Sequence, residues 1–208
     1  EEKKLSVLSK QELEKEIKYV SNKMINFKFD KGLIYLLDEK LINNQINKIS
    51  VPDNIILGAL VNPFSKKIDE KINKLNKSGI KFLKILPYEQ KIFNKDYSDL
   101  SNFIKIVNRN NMVVTVCCAY GSKYIYKTNG VELTSYLLNN GFESSLIMAH
   151  GGMKRILDAM SLMLEFPNLY MDISFSLFYW WGSTVIKNYA FALEKIEYER
   201  VFYGSDFH

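Results

Sequence analysis

Histidine and cysteine are both scarce in this chain, with two of each among 208 residues. The cysteines are neighbours, Cys117 and Cys118, so they make no framework of disulfides across distant loops, and the composition fits a reducing compartment. Long apolar runs are missing too: none reaches the roughly 18 residues that a membrane-spanning helix needs. The opening Glu1-Glu2-Lys3-Lys4 is not followed by the apolar core of a secretion signal. These absences read as a soluble, cytoplasmic protein with no membrane partner. No stretch rich in glycine, proline or serine divides the chain, and no repeat or low-complexity tract occurs, so residues 1–208 read as a single domain.

The formal charge of +5 raises the question of nucleic acid. The lysines, however, interleave with acids along helical stretches, as in Gln11-Glu12-Leu13-Glu14-Lys15-Glu16 and Lys66-Lys67-Ile68-Asp69-Glu70-Lys71. No basic block alternates with aromatic residues, so a solvated face is the better reading and a nucleic-acid partner is set aside.

What the sequence does have is 47% hydrophobic residues, arranged in short apolar runs that alternate with helical periodicity. Ser9 and Glu12 form a capping box, and Leu13, Ile17, Val20 and Met24 then mark a helix over about residues 10–25. Apolar runs follow near residues 32–37, 55–61, 80–86, 112–118, 146–149, 169–173 and 201–204, with helical stripes in the intervening segments. The runs are apolar at successive positions rather than alternating, which predicts strands buried on both faces, as in a parallel sheet. Seven such strands at this spacing predict an α/β fold, either an open doubly wound sheet or a (β/α)8 TIM-barrel-like ring short of one unit; the count favours the barrel.

In either architecture the chemistry belongs at the C-terminal ends of the strands, where the connecting loops converge. The polar residues there are Asp38 and Glu39, Asn62, Lys84 with Tyr88 and Glu89, Cys117 and Cys118 with Tyr120, His150, Asp172 with Ser174, and Asp206 with His208. His150 is the sharpest of these, because an apolar strand runs straight into Ala149-His150-Gly151-Gly152. A neutral imidazole there can bind a divalent metal or orient a substrate oxyanion; the plainer alternative is a histidine that is hydrogen-bonded at a strand end. Asp206, just past the last strand, suits a metal ligand or a general base toward water, and equally the N-cap of a following helix.

Three ordered segments carry a family resemblance: Leu146-Ile147-Met148-Ala149-His150-Gly151-Gly152, then Phe166-Pro167-Asn168-Leu169-Tyr170-Met171-Asp172-Ile173-Ser174, then Arg200-Val201-Phe202-Tyr203-Gly204-Ser205-Asp206. They resemble the late strands of the amidohydrolase superfamily, in its amidohydrolase 2 branch. The run Gly79 to Pro87 resembles that family's fourth strand, and Asn62-Pro63 the end of its third. The resemblance implies a distorted barrel that uses a divalent metal, commonly zinc, to activate water. It implies His150 and Asp206 as metal ligands, with Asp206 also the catalytic proton shuttle. The implied activity is hydrolysis of a small carbonyl-containing or cyclic substrate. A decarboxylase or lyase of the same superfamily, or a non-catalytic barrel that binds a small molecule or partner, are the alternatives.

Departures from the family pattern accompany the resemblance. The His-x-His pair of the family's first strand is absent from these residues, so the expected barrel is incomplete at both termini, beginning after strand one and ending before the last helix; a protein that has lost its metal is the other account. Where the family's fifth strand carries a histidine, Cys117 is the nearest match by register, either a thiolate ligand to zinc or an inert buried thiol. Lys84 stands where some members use a carboxylated lysine to bridge two metals, and a simple strand-end charge is the alternative. Tyr120 and His208 complete the set of candidate metal or substrate contacts, and Lys123 lies near Cys117 in sequence. Tyr179-Trp180-Trp181-Gly182 suits an aromatic wall for a flat substrate, a packed helix or a homodimer contact.

Overall fold

The computed structural model describes residues 9–38, 49–119 and 127–206. Glu39, Tyr120, Lys123 and His208 lie outside the described residues. Helix α1 (Lys10–Asn26) begins at the expected capping box: the Ser9 hydroxyl accepts from the Glu12 N–H, and the Glu12 carboxylate accepts from the Ser9 N–H at 2.8 Å. Its Leu13 and Ile17 are buried.

Seven strands follow: β1 (Gly32–Leu36), β2 (Ile55–Leu60), β3 (Phe82–Ile85), β4 (Val113–Cys117), β5 (Leu146–Ala149), β6 (Leu169–Asp172) and β7 (Val201–Phe202). All pair in parallel, in the order of the chain. The connections carry α2 (Ile68–Lys77), α3 (Ser101–Arg109), α4 (Gly130–Asn139), α5 (Ile156–Glu165), the short α6 (Ser176–Tyr179) and α7 (Val185–Lys195). In a doubly wound sheet the strand order reverses at the middle; here it never does. Right-handed crossovers that all step the same way place the helices on one face, and the sheet curls around the other. The curl is visible where the two sheet edges approach: the ring of Phe29, ahead of β1, stacks on Tyr203, just past β7, at 6.1 Å between centroids.

The two faces of the sheet differ sharply. Toward the helices, Ala59, Leu83, Ile85, Val114, Val116, Leu146, Met148, Leu169 and Met171 are completely buried. At roughly 1.5–3 kcal/mol for each large side chain, this seam supplies much of the driving force. The inner face is sealed at Ile147 but open at its rim, where Ile56 and Phe202 are 37% and 44% exposed. Burial on both sides, predicted from the apolar runs, therefore holds at β4 and β5, where Thr115, Cys117, Ile147 and Ala149 are buried on the inner face, and is lost toward Ile56 and Phe202. The physical reason is closure: among the described residues the strands number seven, and β1 and β7 are the edges of the sheet. Arg200 ties the end of α5 to β6, donating through Nη1 to the carbonyls of Met163 (2.8 Å), Phe166 (3.1 Å) and Leu169 (3.3 Å).

An aromatic side chain crosses the lumen. Tyr35 on β1 reaches across to β4 and shares a hydrogen bond with the Thr115 hydroxyl. Gly58, its register partner on β2, makes the room: a Cβ there would lie 2.5 Å from two carbons of the Tyr35 ring. Gly58→Ala is therefore expected to lower stability by about 1–3 kcal/mol through overpacking. A denaturant double-mutant cycle should show that cost shrinking in a Tyr35→Ala background.

Candidate active site

The site is organised by a turn that the backbone resists. Past β5, the residues His150, Gly151, Gly152 and Met153 all have positive φ, at 59°, 56°, 73° and 54°. The left-handed region is cheap for the glycines but costs His150 and Met153 of the order of 1–3 kcal/mol each. Buried hydrogen bonds hold the turn in place. The Ser176 hydroxyl donates to the His150 carbonyl at 2.6 Å, and the Tyr189 hydroxyl lies 3.0 Å from that carbonyl and 3.1 Å from the carbonyl of Met153. Tyr189 is almost wholly buried. Gly151 admits it, since a Cβ at that position would come within 2.8 Å of the tyrosine ring.

The turn aims the His150 imidazole into a buried polar cluster. Nδ1 lies 3.1 Å from the Ser174 carbonyl and 3.2 Å from the Ser174 hydroxyl. A carbonyl only accepts, so Nδ1 carries the proton and, in the neutral ring, the lone pair sits on Nε2. Ser174 is itself held: its N–H and hydroxyl donate to the two oxygens of Asp172, at 2.8 and 2.7 Å. The imidazole also hydrogen-bonds the sulfur of Cys117, whose register partner on β5 is Ala149, one residue before His150. The Tyr88 hydroxyl approaches the same sulfur, and the Asp206 carboxylate is close enough for its charge to act on the ring.

Electrostatics follow from this crowding. Burial opposes charging the imidazole, but hydrogen bonding to Cys117, the Ser174 carbonyl and the Asp206 charge outweigh it, so His150 protonates above its ordinary pKa. Burial foremost, with the neighbouring Cys117 and Asp172, pushes the Cys118 thiol well above the usual range, which makes it the inert member of the cysteine pair. The Tyr35 phenol is likewise raised, chiefly by desolvation, and stays a neutral hydroxyl.

Of the residues singled out in the sequence, His150, Cys117 and Asp206 come together at the C-terminal ends of β5, β4 and β7. Lys84 points into the same lumen from β3, with its ammonium 5.0 Å from the centroid of the Tyr35 ring. Tyr120 and His208 lie outside the described residues. The aromatic segment after β6 is a rim rather than a packed wall: Phe178 and Trp181 are more than four-fifths exposed, while Tyr179 packs on Phe175 and edge-on against Trp180. Sequence reading missed Tyr189, Ser176 and Tyr35. Ser176 and Tyr189 stand in helices and Tyr35 inside the apolar run of β1, and only the fold brings Tyr189 back beneath a turn 39 residues earlier.

Among the described residues the expected metal lacks a full donor set: no group of three or more His, Cys, Asp or Glu side chains is placed to hold an ion. His150 taken alone would suit a ligand, because an Nδ1–H donated to the Ser174 carbonyl leaves the Nε2 lone pair for coordination.

Tyr189→Phe removes the donor that holds the strained turn and leaves buried carbonyls short of a partner. It should cost about 1–3 kcal/mol in thermal or denaturant unfolding. Ser174→Ala should be milder at His150, because the backbone carbonyl survives; nitrogen-15 NMR of the imidazole should still report the Nδ1–H form. An Nε2–H ring in that variant would contradict the assignment of the orienting bond.

The chain resembles known barrels in sequence and in shape. Residues 55–208 match the amidohydrolase family. No curated protein matches the sequence. A TIM-barrel protein of uncharacterised function from Bordetella bronchiseptica superposes with a TM-score of 0.70 at 13% identity, covering 91% of this chain and 69% of that one. A candidate 2-pyrone-4,6-dicarboxylic acid hydrolase from Acinetobacter baumannii, solved with citric acid bound, gives a TM-score of 0.66 at 17% identity, covering 92% and 73%. A second candidate hydrolase of that kind, from Pseudomonas putida, gives 0.60 at 12% identity, covering 90% and 72%. At these identities the superpositions speak for the barrel alone, whereas the sequence match spans most of the chain: the protein belongs to the amidohydrolase family.

Proposed function

We infer that this domain is a hydrolase that acts on a small carbonyl-containing or cyclic substrate at the C-terminal mouth of its barrel. The observation that carries the reading is the His150 imidazole. It is buried, held in one tautomer by Ser174, and presented by a strained turn within the field of the Asp206 carboxylate. Strain retained at a strand end and a perturbed titratable group are the features that physical reasoning associates with chemistry. Family membership favours hydrolysis among the reactions such a pair can support.

In this reading Asp206 removes a proton from water as it attacks the carbonyl carbon, and passes that proton on to the leaving group. The charged form of His150, favoured by its surroundings, donates toward the oxygen on which negative charge develops. Tyr88, whose hydroxyl approaches the Cys117 sulfur, borders the same space. Zinc, expected from the family resemblance, would need donors beyond the described residues.

The test is a panel of small esters, lactones and amides assayed in oxygen-18 water. Asp206→Asn and His150→Gln should each lower kcat/KM by about 10²–10⁴-fold while circular dichroism stays unchanged. A fully active Asp206→Asn protein would sink the assignment. Release of carbon dioxide in place of a labelled hydrolysis product would replace hydrolysis with the lyase reaction.

A further inference from the structure

Beneath the His150 layer, the lumen holds hydrogen-bond donors that meet no acceptor among the described residues. Lys84 pairs in register with Thr115, so the two side chains share the inner face of the sheet. Its ammonium rests over the Tyr35 ring, 5.0 Å from the centroid, and Lys84 forms no ion pair among the described residues. An aromatic face offsets only part of what a half-buried cation loses by leaving water. The neighbouring hydroxyl pair adds a second unspent donor. Tyr35 and Thr115 are bonded to each other, and one of the two must donate. Whichever donates, the other keeps an O–H for which no acceptor is given among the described residues.

Asp172 acts on Tyr35 through its charge, but its hydrogen bonds go to the N–H and hydroxyl of Ser174, and among the described residues none joins it to Lys84, Tyr35 or Thr115. A half-buried ammonium and a buried hydroxyl hydrogen, side by side on adjacent strands, are complementary to one small planar anion with two oxygens. Thr115 is two residues below Cys117 on the same face of β4, and Cys117 touches His150. A ligand anchored at Lys84 would therefore extend upward to the imidazole.

We propose that Lys84, with the Tyr35–Thr115 hydroxyl pair, is a carboxylate-binding post, and that the substrates of this site carry a carboxylate group in addition to the carbonyl that is attacked. The proposal deepens the hydrolase reading and rests on it for the word substrate, but binding at the post requires no turnover. Lys84 acts by charge and Tyr35 by holding it over the lumen; neither touches the reacting carbon.

The experiment is an NMR titration of the full chain with benzoate and with benzamide, which match in size and differ in charge. The wild-type protein should bind benzoate about ten- to a hundredfold more tightly, the range expected for hydrogen bonds to a charged group. Lys84→Met should erase that preference and leave benzamide binding unchanged, Lys84→Arg should retain it, and Thr115→Val should weaken benzoate alone by severalfold. Among substrates, the loss in Lys84→Met should fall on KM for carboxylate-bearing esters, with kcat and neutral esters little affected. Equal binding of the two probes by the wild-type protein, or undiminished benzoate preference in Lys84→Met, overturns the post even where hydrolysis is intact. Charge-selective binding in a protein that hydrolyses no ester, lactone or amide overturns the proposed reaction and leaves the post standing.

Discussion

The run of left-handed backbone from His150 to Met153 is the constraint around which the site is arranged. A conventional helix start after β5 would carry the chain outward at once. The positive φ angles keep the backbone low and turn the imidazole across the strand ends toward Cys117 and Ser174. Such a turn persists only where its surroundings over-determine it. Here the surroundings come from the next crossover, between β6 and β7: Ser176 at the start of α6 and Tyr189 inside α7 both donate to the carbonyl of His150. The helices that seal the outside of the sheet thus also set the orientation of the group inside it, which links stability of the shell to geometry of the mouth.

From that turn the remaining geometry follows in sequence. His150 Nδ1 meets Ser174, Ser174 meets Asp172, and Asp172 ends β6, so one polar chain runs between adjacent strands. The carbonyl of Ser174 carries more of the orienting role than its hydroxyl, because a backbone acceptor allows only one tautomer while a hydroxyl can accept or donate. What this chain presents at the barrel mouth is consequently a single imidazole edge, already hydrogen-bonded to the Cys117 sulfur and lying within the field of Asp206.

Much of this was legible from sequence, and the boundary of legibility has a physical cause. Successive apolar positions betray strands in a parallel sheet, and Ser9 with Glu12 betrays the start of a helix, because both signals are local. The rule that loops at the C-terminal ends of strands carry the chemistry singles out His150 and Asp206 as candidates. It does not single out Tyr189, since its hydroxyl acts on carbonyls 36 and 39 residues away, and a buried tyrosine on a helix stripe looks like ordinary core. The inner face matches that signal only in part: a run such as Ile55 to Leu60 records that both sides are hydrophobic, not that both sides are covered. The inner face is covered at Thr115, Cys117, Ile147 and Ala149 and open at Ile56 and Phe202.

The seven strands of the described residues bear on how the lumen is filled. In a closed barrel, layers of branched side chains from alternate strands occupy the centre. Here a single tyrosine spans from β1 to β4, and a glycine on β2 yields the space its ring needs. A phenol brings a hydroxyl into the middle of an apolar space, and that hydroxyl has to be matched; Thr115 matches one of its valences and leaves a hydrogen over. Lys84 lies against the same ring, so the polar surplus and the positive charge are collected on one side of the lumen, below the histidine. An aliphatic plug of the same volume would pack as well without this surplus of donors. The choice of tyrosine, glycine and lysine at facing positions therefore makes more sense as an arrangement for receiving an anion than as one for filling space.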